Sequence, residues 1–383
     1  MKLLFIIPSI TNYFTFLEEL IDALNKRGHA VHLATSRKHI ARISAYRRDI
    51  HCKVHDIDFP RAIDPIRHYT AARQVRKLVK ELKPDIVNVH FSAAIFTAML
   101  AREKDWPPTT GTIHGLGSPL INGWRRAMIA KAEKWSAERV DEVYVLTQDD
   151  RAYLQRNAPK AAVRVLNSFG MGCDLQRFDR SNVAPEVAQK IRLELGILET
   201  DFVYIFIGRQ THFKGFDRVV RAFVEVQKTH PRSKLLLVGE KDRIHPKSLK
   251  PQYEKALKND PAIIRVGWRE NVEDYLAIAD LNVFPSEREG LPVNLMESLA
   301  MGVPVVTVNS RGCREVVRHE VDGIMLGDYK TSRLVQAMTD LQNDRAKLRR
   351  FSEASLQGRD RFDRKYFVKD QFEIFARLTG KEV

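Results

Sequence analysis

Two carboxylates eight positions apart, Glu289 and Glu297, offer the clearest chemistry in the chain. They lie on Phe284-Pro285-Ser286-Glu287-Arg288-Glu289-Gly290-Leu291-Pro292 and the helical stretch 293–301 that follows. Gly290 lets a ligand approach the backbone closely, and the free N–H groups at a helix start favour an anion such as a diphosphate. The spacing puts Glu289 at the helix entrance and Glu297 about two turns in. A mostly apolar helix cannot cheaply bury an unpaired carboxylate, so Glu297 calls for donors such as the two hydroxyls of a ribose, with a buried salt bridge as the structural alternative. A second loop, Gly208-Arg209-Gln210-Thr211-His212-Phe213-Lys214-Gly215, closes an apolar run. Its cations Arg209 and Lys214 suit a pyrophosphate leaving group, whose developing charge they would stabilise. Gly-Arg-x4-Lys-Gly alone is unspecific. Followed some 75 residues later by Glu-x7-Glu, it is not.

Both loops need a scaffold that ends strands in ligand-facing turns. The first half alternates strand and helix: 2–8 as a strand, 14–27 as a helix with apolar Phe16, Leu17, Leu20, Ile21 and Leu24, then strands at 30–35, 86–90 and 109–113. A second series, with strands at 202–207, 234–238, 263–266, 281–284 and 303–308, follows the polar stretch 179–185. Short apolar strands between helices build parallel sheets covered on both faces. The expected fold class is therefore α/β, with two Rossmann-like domains, 1–183 and 184–383, facing each other across a cleft, and a last helix, about 366–383, able to pack back on the first. Ligands of such folds sit at the carboxyl ends of the strands.

Composition agrees with a globular protein: 383 residues, 44% hydrophobic and 29% charged, without low-complexity tracts. Cys52, Cys173 and Cys313 are odd in number and widely spaced, which argues against a disulfide framework or zinc knuckle and for a reducing, cytoplasmic setting. No apolar run reaches the roughly 18 residues that a membrane-spanning helix needs, so the expected membrane contact is peripheral. The net charge of +15 is uneven. Residues 1–180 carry 29 Lys+Arg against 19 Asp+Glu, which points to an anionic partner for the first half. No nucleic-acid motif accompanies that charge.

The stretches 286–292 and Met296-Glu297-Ser298-Leu299-Ala300-Met301-Gly302-Val303-Pro304-Val305-Val306 resemble those of the family-4 retaining glycosyltransferases with the GT-B fold, including bacterial capsule and exopolysaccharide enzymes, and the similarity spans nearly the whole chain. The resemblance implies that Glu289 lies against the donor sugar, Glu297 holds the nucleotide ribose, and the amides of Gly290 and Leu291 reach the distal phosphate or sugar. Arg209 and Lys214 take the diphosphate positions. Gly172-Cys173-Asp174 with Phe178 matches the segment that closes the first domain. For Thr112-Ile113-His114-Gly115 the resemblance implies that His114 lies over the donor sugar near the reacting carbon, an active-site role that the residue pattern alone leaves even with a structural one. Many relatives carry Gly-Gly after the first strand, where this chain has Ser9-Ile10-Thr11-Asn12-Tyr13-Phe14. Thr11 and Asn12 are thus expected to meet acceptor or phosphate through side chains.

The resemblance further implies a nucleotide-sugar donor, most often UDP-linked, retention of anomeric configuration, and no cofactor. The absence of an Asp-x-Asp loop leaves metal unrequired. Attack by the acceptor hydroxyl on the face the phosphate leaves is favoured over a Glu289 nucleophile. Arg37-Lys38, Arg47-Arg48, Arg73, Arg76-Lys77 and Trp124-Arg125-Arg126 with Lys131, Lys134 and Trp135 mix cations with aromatic groups, as surfaces that lie on anionic membranes do. A polyprenyl-diphosphate-linked sugar at the cytoplasmic membrane face is the expected acceptor. The rivals are a nucleotide-sugar epimerase of the same fold and a catalytically idle partner subunit.

Overall fold

The structure, a computed structural model, describes residues 1–38, 49–60, 64–120, 123–241 and 251–383. The chain divides into two compact units, one formed by residues 1–171 with 364–383 and the other by 172–363. The division falls at Met171/Gly172, not at 183/184. The reason is local to the second unit: Cys173 pairs in parallel with Asp363 and its N–H donates to the Phe362 carbonyl at 2.7 Å, so the chain enters and leaves that unit side by side. The polar stretch 179–185, which reads as a linker, is held by Arg359, whose guanidinium reaches Asp179 at 2.9 Å.

In the first unit seven strands, β1 (Lys2–Ile6), β2 (Ala30–Thr35), β3 (Lys53–Asp56), β4 (Ile86–His90), β5 (Thr109–Ile113), β6 (Glu142–Val145) and β7 (Val163–Val165), form a parallel sheet in the order β3-β2-β1-β4-β5-β6-β7. β4 and β5 are buried along their whole length, as helix-covered parallel strands must be. The core gathers Leu4, Ile6, Val87, Val89, Ile95, Met99, Val143 and Val145. The first helix differs from expectation. It starts at Thr11, runs to Phe16, leaves helical geometry at Leu17 (φ −121°, ψ −14°) and resumes over Glu18–Lys26. The hydrogen bonds Leu17 N–H to Tyr13 (2.8 Å) and Ile21 N–H to Leu17 (2.9 Å) carry the ladder across the break. Apolar periodicity does not register such a break.

The second unit repeats the plan with β8 (Phe202–Ile207), β9 (Ser233–Val238), β10 (Ile263–Gly267), β11 (Leu281–Phe284), β12 (Val305–Val308) and β13 (Gly323–Leu326), all parallel, in the order β10-β9-β8-β11-β12-β13. β8 and β11 are buried on both faces. Phe202, Phe206, Phe223 and Phe284 are at most 1% exposed, and such full burial stabilises by roughly 1.5–3 kcal/mol per side chain. The strand order of each sheet switches direction once, between β1 and β4 in the first and between β8 and β11 in the second, and ligands of doubly wound sheets bind at such a switch. The terminal helix, Arg364–Thr379, belongs to the first unit, where Arg377 clamps the Glu142 carboxylate and the Tyr144 hydroxyl.

Candidate functional site

The loops that follow β8, β11 and β12 meet within the second unit. After β8, a single 3-10 turn, His212–Lys214, leads into the helix Phe216–Gln227 through Gly215. Gly215 has φ +79°, and a Cβ there would stand 2.4 Å from the Pro285 carbonyl oxygen, so the close approach of the two loops requires glycine. The Phe213 carbonyl accepts from the Glu287 N–H at 2.8 Å. After β12, Ser310 Oγ donates to the Ser286 carbonyl at 2.7 Å, and the Glu289 N–H donates to the Arg311 carbonyl at 3.2 Å. Gly312, at φ +81°, would carry a Cβ 2.3 Å from the Gly290 oxygen. The backbone of the 286–290 loop is thus clamped from both sides.

That clamp aims one carboxylate. Glu289 receives Lys214 Nζ at 2.6 Å on each of its oxygens and Ser286 Oγ at 2.6 Å on one of them, with side-chain exposures of only 18% for Lys214 and 10% for Glu289. Charge-assisted bonds of this kind hold geometry as well as energy. Lys214 also stands 5.6 Å from the Phe284 ring centroid and 6.0 Å from that of Phe213, which Arg209 (5.7 Å) and Arg288 (4.7 Å) flank as well. Three cations therefore surround one aromatic ring beside one carboxylate. The burial of Cys313, with the Glu289 charge nearby, pushes its thiol up to about 11, so it stays uncharged at neutral pH.

The second carboxylate is placed differently. The helix runs over Val293–Ala300, so Glu289 lies on the loop before it and Glu297 is its fifth residue, little more than one turn in. Glu297 is half-buried, and its charge acts on Arg177, which bonds Glu273 at 2.8 Å. Gly290 and Leu291 lie on the approach to that helix, whose first turn has no side-chain cap. Arg209 is exposed at the end of β8. Lys214 and Glu289 are thus brought into contact, and Glu297 stands apart on the same framework.

In the first unit His114 directly follows β5. Its ring stacks on Phe91 at 4.1 Å and 13° and lies 5.0 Å from Phe16. Burial pushes its imidazole down to about 3, so it is neutral at physiological pH. The following loop is held by Glu133, whose Oε1 accepts from the Gly117 N–H at 2.7 Å. Thr11 and Asn12 lie in the first turn of a helix, not on an open loop, and Thr11 Oγ1 is 3.0 Å from Ser9 Oγ. The basic set divides. Arg76 bonds the carbonyls of Leu100 and Ala101 at 3.1 Å, and Trp135 packs against the core. Trp124 is 68% exposed beside Arg125 and Arg126. Arg47 and Arg48 lie outside the described residues.

Ser286, Phe213, Arg288 and the Arg311-Gly312 turn escape the sequence reading. Ser286 lies inside the quoted motif, and its Ser-x-x-Glu spacing is the signal that could have found it. The Arg311-Gly312 turn has no local signal, since only strand order brings it beside Glu289.

The family described as Glycosyltransferase Family 4 matches residues 14–168, and that described as Glycosyl transferases group 1 matches residues 187–357. The chain is similar to UDP-Gal:alpha-D-GlcNAc-diphosphoundecaprenol alpha-1,3-galactosyltransferase of Escherichia coli, with 24% identity over 293 residues that cover 74% of this chain and 73% of that enzyme. It is also similar to N-acetyl-alpha-D-glucosaminyl L-malate synthase of Bacillus anthracis, with 24% identity over 330 residues, 83% of this chain and 81% of that one. Among solved structures, Anabaena HepE in complex with UDP matches with a TM-score of 0.80 and 18% identity, covering 98% of this chain and 100% of that one, a likeness of fold. Two doubly wound units, the clamped Glu289 loop and matches along both halves together make this chain a member of the family-4 glycosyltransferases, with the GT-B fold.

Proposed function

We propose that the enzyme moves a sugar from a UDP-sugar onto a lipid-linked sugar acceptor, with retention of anomeric configuration, during assembly of a bacterial surface polysaccharide or similar glycan. The observation that carries this reading is the Lys214–Glu289 contact, a cation and an anion held at the ends of adjacent strands where a diphosphate and its sugar would both need a partner. Lys214 and Arg209 neutralise the diphosphate, the Gly290 and Leu291 amides receive its distal end, and Glu297 binds the ribose. By the family resemblance His114 meets the donor sugar.

In the transfer step the bond from the anomeric carbon to the phosphate oxygen breaks and its electron pair leaves with the diphosphate. The acceptor hydroxyl oxygen bonds to the same face, and its proton passes to the departing phosphate. Glu289 has both oxygens engaged by Lys214 and one also by Ser286, so its lone pairs are poorly available for attack on carbon. That engagement favours electrostatic support of the positive sugar over covalent attack. The printed names of relatives fit the substrates: a UDP-Gal donor and a diphosphoundecaprenol-linked acceptor for the E. coli enzyme, and UDP for HepE.

The strongly exposed large apolar side chains of the first unit, among the described residues, are Ile66, Tyr69, Trp124 and Met128, at the starts of the helices Pro65–Leu82 and Trp124–Ala137 next to Arg67, Arg125 and Arg126. Apolar tips set among cations suit an anionic lipid surface that presents such an acceptor. No helix among the described residues is long and apolar enough to cross a membrane. A thermal-shift panel of UDP-, GDP- and ADP-sugars tests the donor: selective stabilisation by a UDP-sugar is expected, and selection of another base overturns the UDP assignment. Sedimentation with anionic vesicles tests the surface, and binding that is absent at low salt counts against it.

A further inference from the structure

A chain of neutral hydrogen bonds runs behind His114 and ends on the terminal helix. His114 Nε2 lies 3.0 Å from His90 Nδ1, His90 Nε2 lies 2.5 Å from Asn88 Oδ1, and Asn88 Nδ2 reaches Thr110 Oγ1 at 2.7 Å and Gln371 Oε1 at 3.2 Å. Asn88, His90 and Gln371 are each 1% exposed. The proton on each atom follows from the far end. Asn88 spends both amide hydrogens on Thr110 and Gln371, so its Oδ1 accepts, and His90 must carry its proton on Nε2. Burial and the neighbouring His114 keep His90 neutral, which leaves its Nδ1 bare. A bare Nδ1 accepts, so His114 must carry its proton on Nε2.

We propose that His90, oriented by Asn88 and by Gln371 of the terminal helix, is a positioning residue that holds His114 in the Nε2–H tautomer, so that His114 offers its Nδ1 lone pair to a hydroxyl of the donor sugar. This rests on the reading that His114 meets that sugar. Phe91 supports the placement. It sits at φ +74°, a region that L side chains rarely adopt, and there its ring lies flat against the His114 imidazole. A strained backbone next to a fixed ring is consistent with an orientation that matters. The consequence for substrate is chemical: an acceptor atom at this point selects a sugar bearing a hydroxyl and gains nothing from a deoxy position.

The test is heteronuclear NMR of the full chain labelled with 15N-histidine. The expected result is that His90 and His114 are both neutral and both protonated on Nε2. Protonation of His114 on Nδ1 instead, the state produced if both amides face the other way, overturns the proposal. His90→Leu should release His114 into a tautomer mixture and lower donor turnover roughly tenfold with UDP binding unchanged, whereas His90→Asn, whose amide can still accept from His114, should restore both. An unaltered His114 tautomer in folded His90→Leu overturns the positioning role. If His90→Leu does not fold, the wild-type spectrum and His90→Asn still decide. His114→Ala separates the two readings: full turnover there removes His114 from the sugar while leaving the tautomer result standing.

Discussion

The two units meet the same demand, holding a side chain still at the carboxyl end of a parallel strand, by opposite means. The second does it with charge: Lys214 and Glu289 are paired, and Arg218, 8% exposed, bonds Glu287 behind them while its guanidinium lies 4.7 Å from the Tyr329 ring centroid. The first does it without charge, through His114, His90 and Asn88. The difference follows from what each is read to hold. A diphosphate brings its own charge and needs cations whose position is set beforehand. A sugar hydroxyl is neutral, and there a fixed lone pair is worth more than a charge that burial would make costly.

The comparison breaks first at Lys214 and Glu289. Glu289→Ala or Lys214→Ala should lower transfer on the order of 10²–10³-fold at saturating donor while the fold is kept, and full activity in either purified variant ends the charge-based reading. Gly215→Ala and Gly312→Ala come next. Each places a Cβ within 2.4 Å of a carbonyl oxygen at positive φ, so a loss of about 1–3 kcal/mol of stability is expected, together with reduced transfer as the Glu289 loop shifts. Unchanged melting and turnover show that the clamp is dispensable.

The third prediction separates the units by pH. His90 and His114 have their protonation pushed below the ordinary histidine value in the folded chain, His114 to about 3. The unfolded chain then binds more protons below about 6.5, so the stability they contribute is full above that value and falls as pH drops from about 6.5 toward 3, by up to about 1.4 kcal/mol per pH unit for each histidine. Melting temperature should drop between pH 7.5 and 5, and His90→Asn should flatten that drop. A drop that is the same in the variant refutes this origin. The smallest effect is expected at Thr11→Val. This hydroxyl already has a local partner in Ser9, so a loss in acceptor turnover below about tenfold is expected, and a larger one would restore Thr11 as a ligand contact.

The central strands were legible because they are continuous apolar runs: β2, β4, β5, β8 and β11 lie where periodicity puts them. β3, β6, β7 and β13 were not read. β3 and β7 are edge strands whose sequences, Lys-Val-His-Asp and Val-Arg-Val, lack the apolar run that marks a buried strand, β13 is a four-residue edge strand that opens on a glycine, and β6 is four residues with a glutamate and a tyrosine. Trp135 shows the limit for side chains. Lys131, Lys134 and Arg139 lie near it in sequence, yet it packs on the core against Phe96, at 5.5 Å, because its helix turns that face inward.

By itself the sequence determined the alternation of elements, the family, and the residues whose chemistry suits a charged ligand, since these depend on residue type and on spacing within one loop. Tertiary structure alone decided which of them touch. Lys214 reaches Glu289 across 75 positions because β8 and β11 are neighbours in the sheet, and His114 meets Gln371 through His90 and Asn88 because the terminal helix belongs to the first unit. Contacts of that kind follow from strand order and chain return, and neither is written in any local stretch of residues.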